Sequence, residues 1–398
     1  MSPAAAARRD GTPAIAFYVS GHGFGHASRV IEIINALAAL APGTRIIIRT
    51  AAARWLFDVT LRMPADVYAV VCDTGVLQRD SLHMDIPATI AEAARFHASL
   101  DAKAEAEAAF LIEQQVSVVV GDLPALAFVA AHKAGIPSIA AGNFTWDWIY
   151  AGYADQLAAA PDLVPAIRRA QGLASLALRL PMWGGFDGFT CPIIDLPFVA
   201  RHSTRAAGDV RAQIGIPIGT RMVLASFGGL GIADLDLASL ARLPGYTVVT
   251  TGHALGLAGA VPVGVVLLDD AAVYAGGLRY EDLVHAADVV VTKPGYGIIA
   301  ECLANDTAIL YTSRGQFAEY EVLVDAMPRF LRCRFISHAD LFAGRWQAHL
   351  DAVLAQPAPP TRPATNGAEL AARHILGAGD WGLDLSSSQI PAPSPLFV

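Results

Sequence analysis

The stretch from residue 288 to residue 301 limits the possible folds of this chain more than any other. Its first four residues, Asp-Val-Val-Val, are typical of a buried parallel strand, and the segment from Ile298 to Leu303 has a helical pattern. Between them, Gly295 and Gly297 allow the backbone to approach a ligand closely. Because a helix start offers unpaired N–H groups and the positive end of its dipole, the stretch predicts an anion-binding turn. Glu301, about one turn into the helix, is placed to accept hydrogen bonds from the two hydroxyls of a ribose.

The same order of strand, turn and helix recurs along the whole chain. In the first half, strands are predicted at residues 14–20, 45–49, 67–72, 116–120 and 138–141. In the second half, they are predicted at residues 221–227, 246–251, 264–268, 289–291 and 308–311. This alternation predicts an α/β protein with two doubly wound, Rossmann-like domains that face each other across a cleft. Ligands of such folds bind at the carboxyl ends of the strands.

Shifts in composition indicate where the domains end. A polar and charged connection at residues 201–205 separates the two halves, and a proline-rich break covers residues 356–364. We therefore predict a leader over residues 1–13, an N-terminal domain over 14–205, a C-terminal domain over 206–357, and a final helix with a mobile tail over 358–398. Residues 143–190 are rich in aromatic side chains and are expected to form an irregular pocket wall.

The composition excludes several classes of protein. The chain has 398 residues, 54% of them hydrophobic, yet no unbroken apolar run long enough to cross a bilayer, so stable membrane insertion is not expected. The net charge is −8 and the basic residues are scattered, which argues against a nucleic-acid partner. The cysteines lack metal-ligand spacing and fit reduced thiols in a cytoplasmic protein without structural zinc. They are Cys72, Cys191, Cys302 and Cys333.

Three motifs carry a resemblance to a known family. They lie at residues 20–29 (SGHGFGHASR), 143–150 (NFTWDWIY) and 293–297 (KPGYG). The last one is similar to the donor-nucleotide site of two-domain GT-B glycosyltransferases, in which a glycine turn precedes a helix that carries a ribose-binding Glu. From about residue 14 to residue 377, the chain resembles the glycosyltransferase-like N-terminal region of plant L-arabinokinases. A sugar-kinase domain follows that region in the family, and this chain is too short to hold one, so arabinose phosphorylation is not expected.

The resemblance implies a glycosyltransferase that uses a nucleotide sugar as co-substrate, with no other cofactor and no metal. A UDP-sugar is the expected donor and would bind to the second domain. A small molecule or glycan is the expected acceptor and would bind to the first domain. The sequence does not identify the transferred sugar, the acceptor or the oligomeric state.

Two residues are candidates for the catalytic step. His26 follows Gly25 at the first loop-to-helix junction, where the family places the histidine that deprotonates the acceptor, and imidazole suits this task near neutral pH. Asp122, after the strand at 116–120, stands where the family places a carboxylate that orients the histidine. The alternatives are that His26 only braces the loop and that Asp122 caps the helix opened by Pro124.

Nine residues are predicted to contact the donor. Ser226, Gly228 and Gly229 form the first glycine turn of the second half, for which a merely tight turn is the alternative. Lys293 would neutralise the leaving diphosphate, or it extends along the surface without contacting the donor. Glu319 matches the position that grips donor-sugar hydroxyls, with Glu321 as its rival. The remaining four belong to the phosphate turn and the helix after it: Gly295, Tyr296, Gly297 and Glu301.

Five residues are predicted to contact the acceptor: His22, Asn143, Trp146, Asp147 and Trp148. Aromatic side chains can stack on a sugar ring, and the polar ones can bind its edge. Packing in the core is the alternative for the aromatic residues, and loop support is the alternative for His22.

The preferred function is an inverting, metal-independent glycosyltransferase. Two alternatives stay open: a non-catalytic module that binds or senses a nucleotide sugar, and an epimerase of the same fold. A dinucleotide oxidoreductase is disfavoured because His26 stands where the last glycine of its fingerprint should be, although Arg49 would suit a 2′-phosphate. Asp234 and Asp236 spell D-x-D, but they precede a predicted helix, so a metal site is disfavoured.

Overall fold

The computed structural model describes residues 14–228, 232, 234–251 and 261–378. The predicted leader, the part of the predicted tail beyond residue 378, and Gly229 lie outside the described residues. Two sheets built entirely of parallel strands form the framework.

The first sheet has seven strands in the order β3-β2-β1-β4-β5-β6-β7. Its central strands are rich in β-branched residues and are buried on both faces, as expected for a parallel sheet covered by helices. Their bounds are β1 Ala14–Val19, β2 Arg45–Thr50, β3 Ala65–Ala69, β4 Val116–Gly121, β5 Ser138–Phe144, β6 Leu176–Gly184 and β7 Ile193–Asp195.

The helices between these strands are α1 Phe24–Leu40, α2 Arg54–Thr60, α3 Ile86–Ala98, α4 Leu100–Glu113, α5 Ala125–Ala134, α6 Trp146–Ala151, α7 Ala154–Leu157 and α8 Leu163–Gln171. Residues 143–190 are therefore largely regular, and the prediction of an irregular segment was wrong. The high aromatic content hid three helices and a long strand, because rings on a helix as short as six residues give too few turns to show a period.

The second sheet has six strands in the order β10-β9-β8-β11-β12-β13. The strands are β8 Arg221–Ala225, β9 Tyr246–Thr251, β10 Val265–Leu268, β11 Val289–Thr292, β12 Ala308–Tyr311 and β13 Cys333–Phe335. The helices of this half are α9 Ala207–Gln213, α10 Leu237–Leu240, α11 Asp270–Ala275, α12 Tyr280–Ala286, α13 Tyr296–Ala304, α14 Ala318–Ala326, α15 His338–Phe342 and α16 Gln347–Leu354. Residues 327–329 form a 3-10 turn.

The prediction of two Rossmann-like, doubly wound domains is confirmed, because each sheet has the strand order of that fold. The last helix, α17 Gly367–Ala378, crosses back to the first domain and packs against α1. Its start is fixed by Gly367, whose N–H donates to the carbonyl of Phe198 at 3.0 Å. The strands of the two sheets lie on either side of residue 205, while the three predicted boundaries between segments stay predictions.

One hydrophobic cluster runs through both domains. It joins Ile33 of α1 and Ile375 of α17 to Val290 and Ile299 of the second domain. Among the described residues, no helix is long and apolar enough to cross a membrane.

Candidate active site

The first glycine loop places His26 in the cleft. Strand β1 ends at Val19, and Gly23 adopts φ 72° before α1 begins at Phe24. This left-handed backbone favours glycine and turns the chain sharply into the helix. His26, in the first turn of α1, keeps 12% of its side chain exposed toward the cleft.

A fully buried carboxylate holds His26. Its Nδ1 lies 2.6 Å from Oδ2 of Asp122, and the other oxygen of Asp122 accepts a hydrogen bond from Arg29. Asp122 does not cap a helix, since Pro124 precedes α5 and makes no side-chain cap bond. The arrangement leaves Nε2 of His26 as the nitrogen able to take a proton from an acceptor hydroxyl.

Arg29 also links the two domains. Its Nη1 donates to Oδ1 of Asn143 at 2.8 Å, and the amide nitrogen of Asn143 donates to Oε1 of Glu319 at 2.9 Å. Glu319, at the start of α14, also accepts from Arg314 at 3.2 Å. A continuous hydrogen-bond chain thus runs from His26 through Asp122, Arg29 and Asn143 to Glu319 of the second domain.

The second glycine turn lies opposite the first. Helix α13 begins after Gly295 with no side-chain cap and no acidic residue in its first turn. A Cβ atom at Gly297 would lie 3.6 Å from Cα of Gly25, so the starts of α1 and α13 approach each other closely. Unpaired N–H groups and two positive helix ends therefore meet at one point of the cleft, which suits an anion.

Lys293 precedes this turn and is partly buried. Burial, reinforced by the nearby charge of Arg314, lowers the pKa of Lys293 to about 7. Its Nζ donates to Oε1 of Gln78, a residue of the first domain, at 3.3 Å. A lysine in this environment gains from a bound anion, which would restore its full positive charge.

Glu301 is buried on α13 behind the turn. Its Oε1 accepts from Nε of Arg201 at 2.7 Å, and burial raises the pKa of Glu301. Its Oε2 is buried without a hydrogen-bond partner, and so is Oε2 of Glu281, which lies 3.4 Å from Arg201. Orphaned acceptors of this kind fit hydroxyl donors such as those of a ribose.

The other predicted donor residues have different surroundings. The Ser226 hydroxyl is hydrogen-bonded to that of Tyr280, and Gly228 is exposed with φ 75°. Tyr296 packs its ring on Phe198, and its hydroxyl accepts the N–H of Val199 at 3.1 Å. Only the backbone of Tyr296 is therefore suited to a donor contact.

The predicted acceptor wall is only partly assembled. Trp146 is buried, with His26 stacked on one side at 6.0 Å between ring centroids and Tyr150 stacked at 5.8 Å. The expected stacking of Trp146 on a sugar ring is corrected accordingly, because neighbouring rings already cover the indole. Asn143 contacts Arg29 and Glu319, as described above.

Asp147 and Trp148 are not brought to the cleft. Asp147 is fully buried and binds Arg168 at 2.9 Å and Gln171 at 2.7 Å on helix α8. Trp148 packs against Gly184 at the end of β6. Successive residues on a helix point about 100° apart, so only one residue of this trio can face His26.

The structure adds residues that sequence reasoning missed. Asp73 is buried, and its Oδ1 lies 3.5 Å from Nε2 of the predicted residue His22. A signal existed, because Asp73 follows the predicted strand 67–72 as Asp122 follows the strand 116–120. Arg29 and Arg201 gave no signal, since Asp122, Asn143 and Glu301 are distant from them in sequence. Arg314 lies only five residues before its partner Glu319, but a spacing of five is not a recognisable pattern.

The structure gives other roles to residues considered for the two disfavoured alternatives, a dinucleotide oxidoreductase and a metal site. Arg49 is buried and bonded to Glu107 at 2.9 Å, so it is not free to bind a 2′-phosphate. Asp236 caps helix α10 by accepting the N–H of Ser239 at 3.0 Å. Within the described ranges, no group of three His, Cys, Asp or Glu side chains is arranged to hold a metal ion.

Among the described residues, openings between the domains include a narrow and a wider one. A narrow crevice between α1 and α13 is lined by Gly25, Arg201, Gly297 and Glu301, among others. A larger cavity of about 200 Å³ lies between β6 and α14. None of the predicted site residues lines the larger cavity, so the narrow crevice is the opening that belongs to the candidate site.

Solved structures share this architecture. The glycotransferase of kitacinnamycin matches 92% of this chain and 98% of its own with a TM-score of 0.56 and 19% identity. The glycosyltransferase SnogD from Streptomyces nogalater matches 92% of this chain and all of its own, with a TM-score of 0.55 and 16% identity. UGT2 of Phytolacca americana was solved with UDP-2-fluoro-glucose and pterostilbene. It matches 92% of this chain and 94% of its own, with a TM-score of 0.56 and 13% identity. The chain is thus a protein of the GT-B fold, the fold of two-domain glycosyltransferases.

Sequence comparison adds a more specific relationship. The chain is similar to L-arabinokinase of Arabidopsis thaliana, with 30% identity over 367 residues that cover 91% of this chain. It spans 34% of the length of that relative, so the similarity concerns a GT-B-like part of a longer protein. No family model matches the chain.

Proposed function

We propose that this protein transfers a sugar from a nucleotide-sugar donor, with UDP as the expected nucleotide, to an acceptor hydroxyl with inversion at the anomeric carbon. His26 removes the proton of the hydroxyl as the oxygen attacks. The diphosphate leaves toward the start of α13. No covalent intermediate is needed, because the diphosphate is already a good leaving group.

One observation carries this proposal. A histidine held by a buried aspartate lies on the same cleft as an uncapped helix start, with Gly25 and Gly297 in close approach. A base and an anion site on the same cleft are what a single displacement requires. The chain of bonds from Asp122 through Arg29 and Asn143 to Glu319 supports it, since this chain connects the base to the donor domain.

The charges near the turn support a metal-independent step. Helix α13 presents its positive end, and Lys293 becomes fully charged when an anion binds beside it. These groups stabilise the negative charge that develops on the departing diphosphate. The unpartnered oxygen of Glu301 supports a ribose contact in the adjoining crevice.

A combined binding and turnover experiment tests the proposal. The purified protein is screened by thermal shift against nucleoside diphosphates and nucleotide sugars, and nucleoside diphosphate release is then measured with an acceptor mixture. A ligand present at 100 times its dissociation constant stabilises the fold by roughly 2.7 kcal/mol. We expect Glu301→Ala to lose the shift and His26→Ala to keep it while turnover falls by about 10²- to 10⁴-fold. His132→Ala, at an exposed histidine of α5, is the matched control.

The outcomes separate the alternatives. Stabilisation by a nucleotide sugar without turnover in any acceptor mixture would favour the non-catalytic binding module. Conversion of the nucleotide sugar to its epimer would favour the epimerase. If no nucleotide stabilises the wild type while a control transferase responds, the donor site itself is refuted.

A further inference from the structure

A second histidine and aspartate lie beside the proposed base. His22 lies on the glycine loop that precedes α1, four residues before His26, and its Nε2 lies 3.5 Å from Oδ1 of Asp73. The His22 side chain is 32% exposed, whereas the carboxylate of Asp73 is 4% exposed. The pair of His26 and Asp122 is similar, because there too a partly exposed imidazole lies beside a buried carboxylate.

The two pairs differ in their fixed charges. Asp122 is bonded to Arg29, whereas Asp73 accepts from two neutral groups, the Ser20 hydroxyl at 3.0 Å and Nε1 of Trp146 at 2.9 Å. Burial raises the pKa of Asp73, and the neighbouring histidines oppose this rise. Among the described residues, neither an arginine nor a lysine is bonded to Asp73, and His22 is the ionisable side chain that lies 3.5 Å from its carboxylate.

The orientation of His22 is fixed by a glycine. Gly75 has φ 54°, and a Cβ atom there would lie 2.3 Å from the imidazole ring of His22. The imidazole of His22 therefore packs directly on the backbone of Gly75, where any side chain would collide with it. Trp146 contacts both histidines, at 6.5 Å between centroids for His22 and 6.0 Å for His26, so both imidazoles pack on the same indole ring.

We propose that His22 and Asp73 form a second hydroxyl-binding pair, so that the acceptor is a neutral sugar or polyol that presents one hydroxyl to His26 and a neighbouring hydroxyl to His22. This inference rests on the proposed glycosyl transfer and adds the class of acceptor. His26 takes the proton of the reacting hydroxyl. His22 binds the second hydroxyl without a proton leaving it, and so positions the acceptor.

The chemistry of the pair selects this class. An imidazole backed by a carboxylate presents one nitrogen to the substrate, either as donor or as acceptor, and a hydroxyl group satisfies both states. A simple alcohol or a phenol with one hydroxyl would leave one of the two imidazoles unpaired at the cleft. A site built to bond a hydroxyl rejects analogues that lack it, because its polar groups are then left unsatisfied.

The test is a measurement of acceptor discrimination. The donor is the nucleotide sugar that stabilises the wild type most in the thermal-shift screen. The acceptors are methyl β-D-glucopyranoside, its 2-, 3- and 4-deoxy analogues, 1-propanol and phenol. For each acceptor, kcat/KM is measured from nucleoside diphosphate release above donor hydrolysis. The proteins are wild type, His22→Gln, Gly75→Ala and the surface control His132→Gln.

We expect wild type and the surface control to prefer the complete sugar over at least one deoxy analogue by about 10- to 100-fold, and to use 1-propanol and phenol poorly. In His22→Gln this ratio should fall toward one. Gly75→Ala displaces the His22 ring without removing it, so it should reduce the same ratio. The readout is the ratio of kcat/KM values and not a single rate, because a purely structural role of His22 would lower kcat/KM for all acceptors together.

Three results would overturn the inference. They are an unchanged ratio in His22→Gln, equal use of phenol and the sugar by the wild type, and donor hydrolysis with transfer to none of the sugars. Each of these leaves glycosyl transfer or donor use intact. If the wild type neither binds nor consumes any nucleotide sugar, the proposed function fails, and this inference fails with it.

Discussion

At the scale of single residues, the site depends on the carboxylate of Asp122, which His26 and Arg29 share. Asp122 gives one oxygen to His26 at 2.6 Å and the other to Arg29. The proposed base His26 is therefore oriented by a carboxylate whose negative charge is balanced by Arg29. Removing that carboxylate disturbs both the imidazole and a buried arginine, which makes Asp122 a sensitive position.

We expect Asp122→Asn to lower kcat of glycosyl transfer by about 10²- to 10⁴-fold, because the amide no longer fixes the imidazole tautomer. Steady-state kinetics with the donor found in the screen measures this loss. Asp147→Asn is the matched control, since Asp147 is also fully buried and paired with an arginine, Arg168, but lies away from the cleft. Equal losses of kcat in both variants would mean that burial, and not catalysis, explains the effect.

We expect Lys293 to make donor binding depend on pH. Its pKa is lowered to about 7 by burial and by Arg314, against the opposing charges of Asp80 and Glu319. A bound diphosphate favours the charged lysine, so binding takes up a proton. As the pH rises through 7, the free protein loses this charge and donor affinity falls. Between pH 6 and pH 8.5 we expect Kd for UDP-glucose to increase by about tenfold, as measured by calorimetry.

The diphosphate of UDP-glucose stays ionised over this range, so the ligand itself contributes no titration. In Lys293→Met the affinity should be lower and nearly independent of pH. Lys293→Arg should retain binding and lose the pH dependence, because a guanidinium stays charged. A pH dependence that persists in Lys293→Met would assign it to another group.

At the scale of elements, the sequence predicts where strands and turns lie better than it predicts the directions of side chains. The turn at Gly295 and Gly297 and the helix after it could be anticipated, because glycine and apolar runs act locally. The directions of Trp146 and Asp147 could not, because they follow from where the short helix α6 rests between β6 and α8. Asp73 was predictable in principle from its position after a strand, whereas its contact with His22 depends on the path of the loop.

A hairpin of the first domain is inserted into the second. Within residues 77–85, Arg79 N–H donates to the carbonyl of His83 at 2.8 Å, and Asp80 accepts the N–H of Leu82 at 2.7 Å. At its tip, Ser81 is hydrogen-bonded to the carbonyl of Phe227, and Leu82 is buried in the core cluster of the second sheet. The hairpin therefore stabilises the turn that follows β8.

We expect Leu82→Ala to loosen this hairpin, since deleting a buried leucine side chain costs about 2–5 kcal/mol. Hydrogen exchange with mass spectrometry should show faster exchange in peptides that cover residues 77–85 and 221–228. Peptides from β4 should be unchanged, because that strand is central in the first sheet, between β1 and β5, and Leu82 is buried in the core of the second sheet. Unchanged exchange at 77–85 would contradict the described docking of Leu82.

At the scale of the whole molecule, the two domains are joined by more than the connecting segment. Helix α17 returns from the second domain to pack on α1, and one hydrophobic cluster includes residues of both sheets. The polar counterpart is the buried bond from Asn143 to Glu319 at 2.9 Å. Its amide faces Arg29 on one side and a carboxylate on the other, so the interface is neutral only with an uncharged residue at this position.

The exchange Asn143→Asp tests this coupling. It keeps the size of the side chain and the acceptor for Arg29, but it sets a second carboxylate against Glu319 inside the interface. Like charges in a buried contact cost several kcal/mol, roughly 3–5 here, and separation of the domains relieves that cost. We therefore expect a lower melting temperature and a larger radius of gyration by small-angle X-ray scattering. Adding Glu319→Gln restores an amide opposite a carboxylate and should reverse both changes in part. If Asn143→Asp keeps the wild-type radius and stability, the contact does not hold the domains together in solution.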